Sequence, residues 1–144
     1  VTDLLRRSLH TEDFCREYFA ITEGIPPESE GVIDLPILRE GEEHFRTVGE
    51  GGLAAETRYR VLRRCGRYAL VLARPITGRT HQIRVHFAAI GCPLAGDWLY
   101  GKPAEEIDRP ALHSCRLSLR QPVTGERIEL LSDLPQDMAR LLEE

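Results

Sequence analysis

Residues 79–101 read RTHQIRVHFAAIGCPLAGDWLYG, and the helical spacing of the first half organises the chain on either side. Ile83, Phe87 and Ile90 recur at three- and four-residue intervals, the pattern of one inward-facing stripe. Thr80 suits the N-cap of a helix over 81–90, and Gly91 with Pro93 should end it. Glycine takes the left-handed position after the last turn, and proline cannot continue the ladder. Arg84 falls off the apolar stripe, about one turn from both His81 and Ala88. An arginine rising from a capped helix beside small alanines can grip a partly buried carboxylate or phosphate with two parallel hydrogen bonds. An ordinary solvated arginine is the alternative at that position.

Upstream, ETRYRVLRRC (56–65) and RYALVLARP (67–75) read as a hairpin about Gly66. Alternation places Thr57, Tyr59 and Val61 on one face, and Arg58, Arg60 and Arg64 with Leu62 on the other. That arginine face is either a contact surface or simply a solvated one. EYFAITEG (17–24) and GVIDLPI (31–37) read as strands, separated by Ile25-Pro26-Pro27 and a polar loop. Residues 39–55, charged and glycine-rich, read as an exposed loop, and 3–14 as a short helix around Leu5 and Leu9. Downstream, LHSCRLSL (112–119) and RIELL (127–131) form a second expected hairpin about Thr124-Gly125. LPQDMARLLEE (134–144) closes the chain as an amphipathic helix striped by Leu134, Met138, Leu141 and Leu142. Strands and helices in this order predict an α+β fold, with 1–144 as one domain.

The net charge of −4 alone argues against a nucleic-acid partner, but its distribution points the other way. From Thr57 to Gly96 there is no Asp or Glu, against eight arginines: Arg58, Arg60, Arg63, Arg64, Arg67, Arg74, Arg79 and Arg84. Such a set within an otherwise acidic chain can attract phosphate. Arginine outnumbers lysine 18 to one, which composition bias explains; forty residues without an acid need another reason. No apolar run approaches the ~20 residues of a membrane span. Residues 1–14 show no signal-peptide pattern, and the missing initiator Met suits a fragment, a processed chain or a partial sequence. Cys15, Cys65, Cys92 and Cys115 are widely spaced with no CxxC, so reduced thiols in the cytoplasm are expected.

Several chemistries find no support. His81 and His86 are five residues apart, about 140° around a helix, and cannot share a metal as an i, i+4 pair does. No HExxH, GxSxG or phosphate-binding glycine loop occurs. No metal site or nucleotide cofactor is therefore expected.

Three blocks, REYFAITEG (16–24), GRTHQIRVHFAAIGCPLAGDWLYG (78–101) and LHSCRLSLRQPVTGE (112–126), resemble the RluA-type pseudouridine synthases in order and spacing. The resemblance implies a mixed, mainly antiparallel sheet with flanking helices, and cofactor-free isomerisation of uridines in structured RNA, ribosomal or transfer. It also implies roles. Arg84 matches the arginine that pairs with the catalytic aspartate, and Tyr18 the tyrosine against the target base, although a strand-core aromatic is its plainer reading. Leu117 matches an apolar residue under the base. His81 and Gln82 match scaffold groups at the helix start. Gly96, Asp97, Tyr100 and Gly101 match a GDxxYG turn. Arg58, Arg60, Arg64 and Arg79, with His81, would supply substrate contacts to the RNA. The family's aspartate sits in an HRLDxxTSG-like block, and none of the seven aspartates here has that context.

The simplest account is the C-terminal half of the catalytic domain, inactive alone. The alternatives are a non-catalytic RNA-binding paralogue and an unrelated α+β interaction domain. A half-sheet should also self-associate through its edges, with Tyr18, Tyr59 and Ile83 incompletely buried.

Overall fold

The structure, a computed structural model, describes residues 14–39 and 45–143. The helix expected over 3–14 lies outside them except for Phe14, which instead opens a strand. Eight strands are present among the described residues: β1 (Phe14–Glu23), β2 (Glu30–Asp34), β3 (Ile37–Arg39), β4 (Arg46–Val48), β5 (Glu56–Cys65), β6 (Tyr68–Pro75), β7 (Leu112–Arg120) and β8 (Arg127–Leu131). Helix α1 (Gln82–Ala89) follows β6, and α2 (Gln136–Ala139) runs into a 3-10 turn at Arg140–Leu142. Six strands form one sheet in the order β2-β5-β6-β1-β7-β8, and β3 and β4 form a separate ribbon. Every strand pairing among the described residues is antiparallel, which sharpens the expected mixed sheet.

The central strand β6 explains the architecture. Its sequence YALVLARP is apolar at nearly every position because both faces are covered. Ala69, Val71 and Ala73 meet Ile83 and Phe87 of α1, together with Ala20, Ile33 and Tyr59. Tyr68 and partly buried Leu70 face the other side, with Ile21, Met138, Leu141 and Leu142. Alanines on the first face let α1 sit close, and burying Phe87 alone stabilises by roughly 1.5–3 kcal/mol. Tyr59 and Ile83 are 7% and 6% exposed, so their expected incomplete burial is not found: Tyr59 packs edge-on against Phe87 of α1, and Ile83, on α1 itself, packs into the same cluster with the sheet. The uncovered apolar residues are at the other end of the sheet, where every residue of β8 is exposed and Leu130 and Leu131 are 58% and 74% accessible.

Several sequence expectations are corrected. The strand expected over 31–37 breaks at Leu35-Pro36, where proline lacks a ladder donor, and Ile37 joins the ribbon instead. The loop expected over 39–55 contains β4 and buries Ala55, because Ile37 and Leu53 exchange backbone hydrogen bonds of 2.9 and 2.8 Å. Thr80 does not cap α1. His81 holds that position with a left-handed φ of 55° and no side-chain cap bond. The helix expected over 134–144 is one short turn plus the 3-10 turn, beginning after Pro135. In β5 the register jumps from Val61↔Val71 to Arg63↔Leu70. Directly paired residues share a face, so this bulge puts Arg63 with Arg58 and Arg60 and turns Arg64 to the α1 side with Ala69. Among the described residues no helix is long and apolar enough to cross a membrane.

Beneath α1 a buried polar relay ties three segments together. Gln82 Nε2 donates to Thr57 Oγ1 at 2.9 Å, Thr57 lies 2.8 Å from His86 Nδ1, and His86 Nε2 lies 2.9 Å from the Leu35 carbonyl. The carbonyl requires Nε2–H, which leaves Nδ1 to accept the threonine proton. Protonating Nδ1 would strand that proton in a site where His86 is fully buried. Burial lowers the His86 pKa below its ordinary value of 6.5, partly opposed by the Leu35 hydrogen bond. A depressed histidine pKa means the unfolded chain binds more protons, so this stability is present above pH ~6.5 and is lost as pH falls below it. The unfolding free energy from urea titration should therefore drop between about pH 7 and pH 5, by at most about 1.4 kcal/mol per pH unit for this one proton. His86→Gln should flatten that slope; an equally steep slope in the variant would remove His86 as its source.

Candidate active site

Tyr18 and Arg84 come together where β1 passes the start of α1. On β1 the register against β7 shifts between Glu17 and Tyr18: Glu17 faces Arg116, Tyr18 faces Ser114, and Cys115 is skipped. A bulge of this kind re-aims a side chain and locally opens the ladder. Half-buried Tyr18 lies on the α1 side with Ala20, since it pairs directly with Ala73. Tyr18, Arg79, His81, Ile83, Arg84 and Leu112 line a cavity of about 220 Å³, completed by Arg16 and the 75–78 turn. Arg16 reaches over Gly78 and donates to the Thr77 carbonyl at 3.2 Å; a side chain at 78 would press on its guanidinium. Gln82 shapes the same turn: its Oε1 accepts from the Arg79 amide at 3.0 Å and from Thr77 Oγ1 at 2.6 Å.

Arg84 is held from behind. Its Nε donates to Asp97 Oδ2 at 3.0 Å and Nη2 to Oδ1 at 2.8 Å, while the Leu99 and Tyr100 amides both donate to Oδ1 at 3.2 Å. The arginine side chain is 15% exposed and the aspartate 0%. The guanidinium also lies 5.1 Å from the centre of the Tyr100 ring. Among the described residues Nη1 has no hydrogen-bond partner, so the fork has one edge committed and a donor left beside the cavity. Asp97 is too deeply buried to meet a substrate carbon. No Asp or Glu among the described residues lines the cavity.

Tyr100 extends this support. Its hydroxyl accepts from the Arg46 amide at 3.1 Å and lies 2.7 Å from His81 Nδ1. Burial is the main influence raising the Tyr100 pKa, so the hydroxyl keeps its proton and can direct it to Nδ1. His81 is the one non-glycine with positive φ among the described residues. That backbone costs on the order of 1–3 kcal/mol, offset by the Tyr100 bond and an edge-on ring contact at 5.6 Å.

The other expected contacts disperse. Leu117 pairs with Arg16 across β1 and β7 but does not line the cavity; Leu112 supplies the apolar wall instead. Arg58 and Arg60 line a separate cavity of about 420 Å³ on the opposite sheet face, beside Glu17 and Glu30. Arg58 pairs with Glu56 at 2.9 Å, an exposed contact. Arg64 lines neither cavity. Asp97 and Tyr100 were legible only as a turn, although Asp97 is the first acid after the forty-residue acid-free stretch, thirteen positions from Arg84.

Residues 2–89 match the RNA pseudouridylate synthase family. The chain is 44% identical to the uncharacterized RNA pseudouridine synthase YlyB of Bacillus subtilis, over 89% of this chain and 43% of that protein. It is 40% identical to the ribosomal large subunit pseudouridine synthase D of Nitrosomonas europaea, over 96% of this chain and 43% of that one. The solved structure of human RNA pseudouridylate synthase domain containing 1 superposes with a TM-score of 0.77 at 29% identity, covering 91% of this chain and 59% of that one. The chain thus spans less than half the length of these curated relatives.

Removing one member of the Arg84–Asp97 pair leaves a nearly buried charge uncompensated. Asp97→Ala should lower the unfolding free energy by about 3–5 kcal/mol, read by urea denaturation. The double replacement Arg84→Met with Asp97→Leu should recover much of that loss. Additive losses in the double variant would show that the two side chains do not act as a pair.

Proposed function

Because the chain belongs to the RNA pseudouridylate synthase family, we propose that its Tyr18–Arg84 cavity receives a uridine turned out of folded RNA and that the protein carrying it isomerises that uridine. The observation that supports this most is the convergence of Tyr18 and Arg84, from distant segments, on one cavity with an uncommitted guanidinium donor. A uridine reaches such a site only after leaving its stack, which favours loops and weakly paired positions. The reaction is an isomerisation: the N1–C1′ bond breaks, the uracil turns, C5 joins C1′, and the C5 proton passes to solvent while N1 gains one. Tyr18 lies against the base and handles the C5 proton. Arg84 Nη1 receives the carboxylate that assists bond cleavage, keeping it ionised and oriented. That carboxylate comes from outside the described residues. No metal or organic cofactor enters the scheme. The four free thiols favour a reducing compartment, and we place the protein in the cytoplasm.

A non-catalytic RNA-binding role is the second reading, favoured by the absence of a lining carboxylate among the described residues. Tritium release from RNA labelled at uridine C5 separates the two. The chain alone should release none, and supplying an HRLD-type segment of a relative in trans should restore release. In the restored system Arg84→Ala should lose about 100-fold through misplacement of the carboxylate, and Tyr18→Phe about 100-fold or more through loss of proton transfer. Near-normal release by Arg84→Ala would remove Arg84 from the chemistry. No release under any complementation would leave the binding role.

The same reading extends to partners. Exposed β8 is an edge strand with an apolar surface, suited to pairing with a further strand of the same fold or a second copy. The isolated chain should therefore associate in sedimentation experiments, and Leu130→Lys with Leu131→Lys should return it to monomer. A wild-type chain already monomeric at tens of micromolar would contradict this.

A further inference from the structure

The β1–β6 ladder stops at Tyr18↔Ala73, and the Tyr18–Arg84 cavity opens where it stops. The next rung would join Arg16 with Pro75. Ile76 donates its amide to the Glu56 carbonyl of β5 at 2.9 Å, so Pro75, one residue back, turns its nitrogen towards β1 and has no hydrogen to give. Beyond that point β1 is paired with β7, where Arg16 faces Leu117. The chain after Pro75 is drawn the other way. Thr77 Oγ1 accepts from the Glu56 amide at 3.0 Å, and Gln82 holds Thr77 and Arg79 from α1. We propose that Arg16 is a positioning residue, a strut that spans this gap and sets the width of the cavity between Tyr18 and the head of α1. The proposal rests on the uridine reading above and adds to it a residue that acts through the shape of the site.

The strut is built from both ends. Arg16 and Tyr18 are two residues apart on one strand, so they leave β1 on the same face, and both line the cavity. From there Arg16 Nη2 crosses to the Thr77 carbonyl at 3.2 Å. The guanidinium lies over Gly78, where a Cβ would stand 3.3 Å from Nη2, 3.8 Å from Nη1 and 3.9 Å from Cζ. Gly78 has no positive φ, so what glycine contributes there is the missing side chain and not an unusual backbone. A uracil in this cavity must lie against Tyr18 while its sugar carbon meets the carboxylate that Arg84 holds. A wall that yields by about 1 Å misplaces it, and misplacement of that size costs about 100-fold in rate.

Tritium release by the whole chain, complemented with the aspartate-bearing segment, gives kcat and KM separately. Arg16→Met, which keeps the apolar stem, should lower kcat by about 10- to 100-fold and leave KM within about twofold. Arg16→Lys can still donate to one carbonyl and should recover most of the loss. Gly78→Ala pushes the guanidinium aside, so it should lower kcat in the wild-type background and change nothing further in Arg16→Met. General damage to the fold would not make one substitution depend on the other in this way. Unchanged kcat in Arg16→Met would overturn the strut, as would an equal effect of Gly78→Ala in both backgrounds. A raised KM with kcat held would overturn it too, by making Arg16 an RNA contact. Urea unfolding of the chain without RNA reads the same pair, and the two effects should again be non-additive. If no complementation gives release, the uridine reading falls, and additive unfolding losses would overturn the strut independently.

Discussion

The bidentate contact between Arg84 and Asp97 is the constraint on which the site depends. Both groups leave water on folding, a cost repaid only because the carboxylate also accepts two backbone amides and the guanidinium also meets the Tyr100 ring. The pair fixes the rotation of α1 relative to the turn at 96–101. Through Tyr100 it fixes His81 at the head of the helix, and through the Arg46 amide it ties in the β3–β4 ribbon. Gly96 makes this possible. Its φ is 74°, and a Cβ there would strike the Arg109 carbonyl and Ile107. Only glycine lets the chain turn tightly enough to place Asp97 under Arg84.

The pair also sets the electrostatics. Counting eight arginines between Thr57 and Gly96 suggests a strongly cationic site. Folding divides them: Asp97 neutralises Arg84, Arg58 and Arg60 go to the far face beside glutamates, and the bulge sends Arg64 to the α1 side. The cationic groups left around the Tyr18–Arg84 cavity are Arg16 and Arg79, with one arginine edge of Arg84 available. This smaller, directional charge suits holding one anionic group in a fixed orientation.

The two halves of the molecule meet different packing demands. β6 is covered on both faces, which is why its sequence lacks alternation and why alanines dominate under α1. β8 is covered on neither, and its apolar residues mark where the chain's own core ends. Tyr18 sits between these regimes, with its strand anchored to β6 and its ring at the cavity. A half-buried position of this kind lets an aromatic be both held and available.

Local pattern alone determined much of this protein. The hairpin about Gly66, the Ile83–Phe87–Ile90 stripe, the stop at Gly91 and the isolation of Arg84 from that stripe each follow from interactions within a few residues. So do the second hairpin and the apolar positions of the C-terminal segment. Tertiary structure decided the rest, because those choices depend on partners distant in sequence. Thr80 lost the cap to His81 once Gln82 had turned back to bind the Arg79 amide and Tyr100 had arrived to hold the His81 ring. The β5 bulge appears only against β6, where it changes which arginines share a face. Leu112, paired with Ala20, lines the cavity, whereas Leu117, paired with Arg16, does not, and only the assembled sheet decides that. Asp97, readable only as part of a turn, became the anchor of the site because burial makes its charge demand a partner, and folding leaves Arg84 within reach.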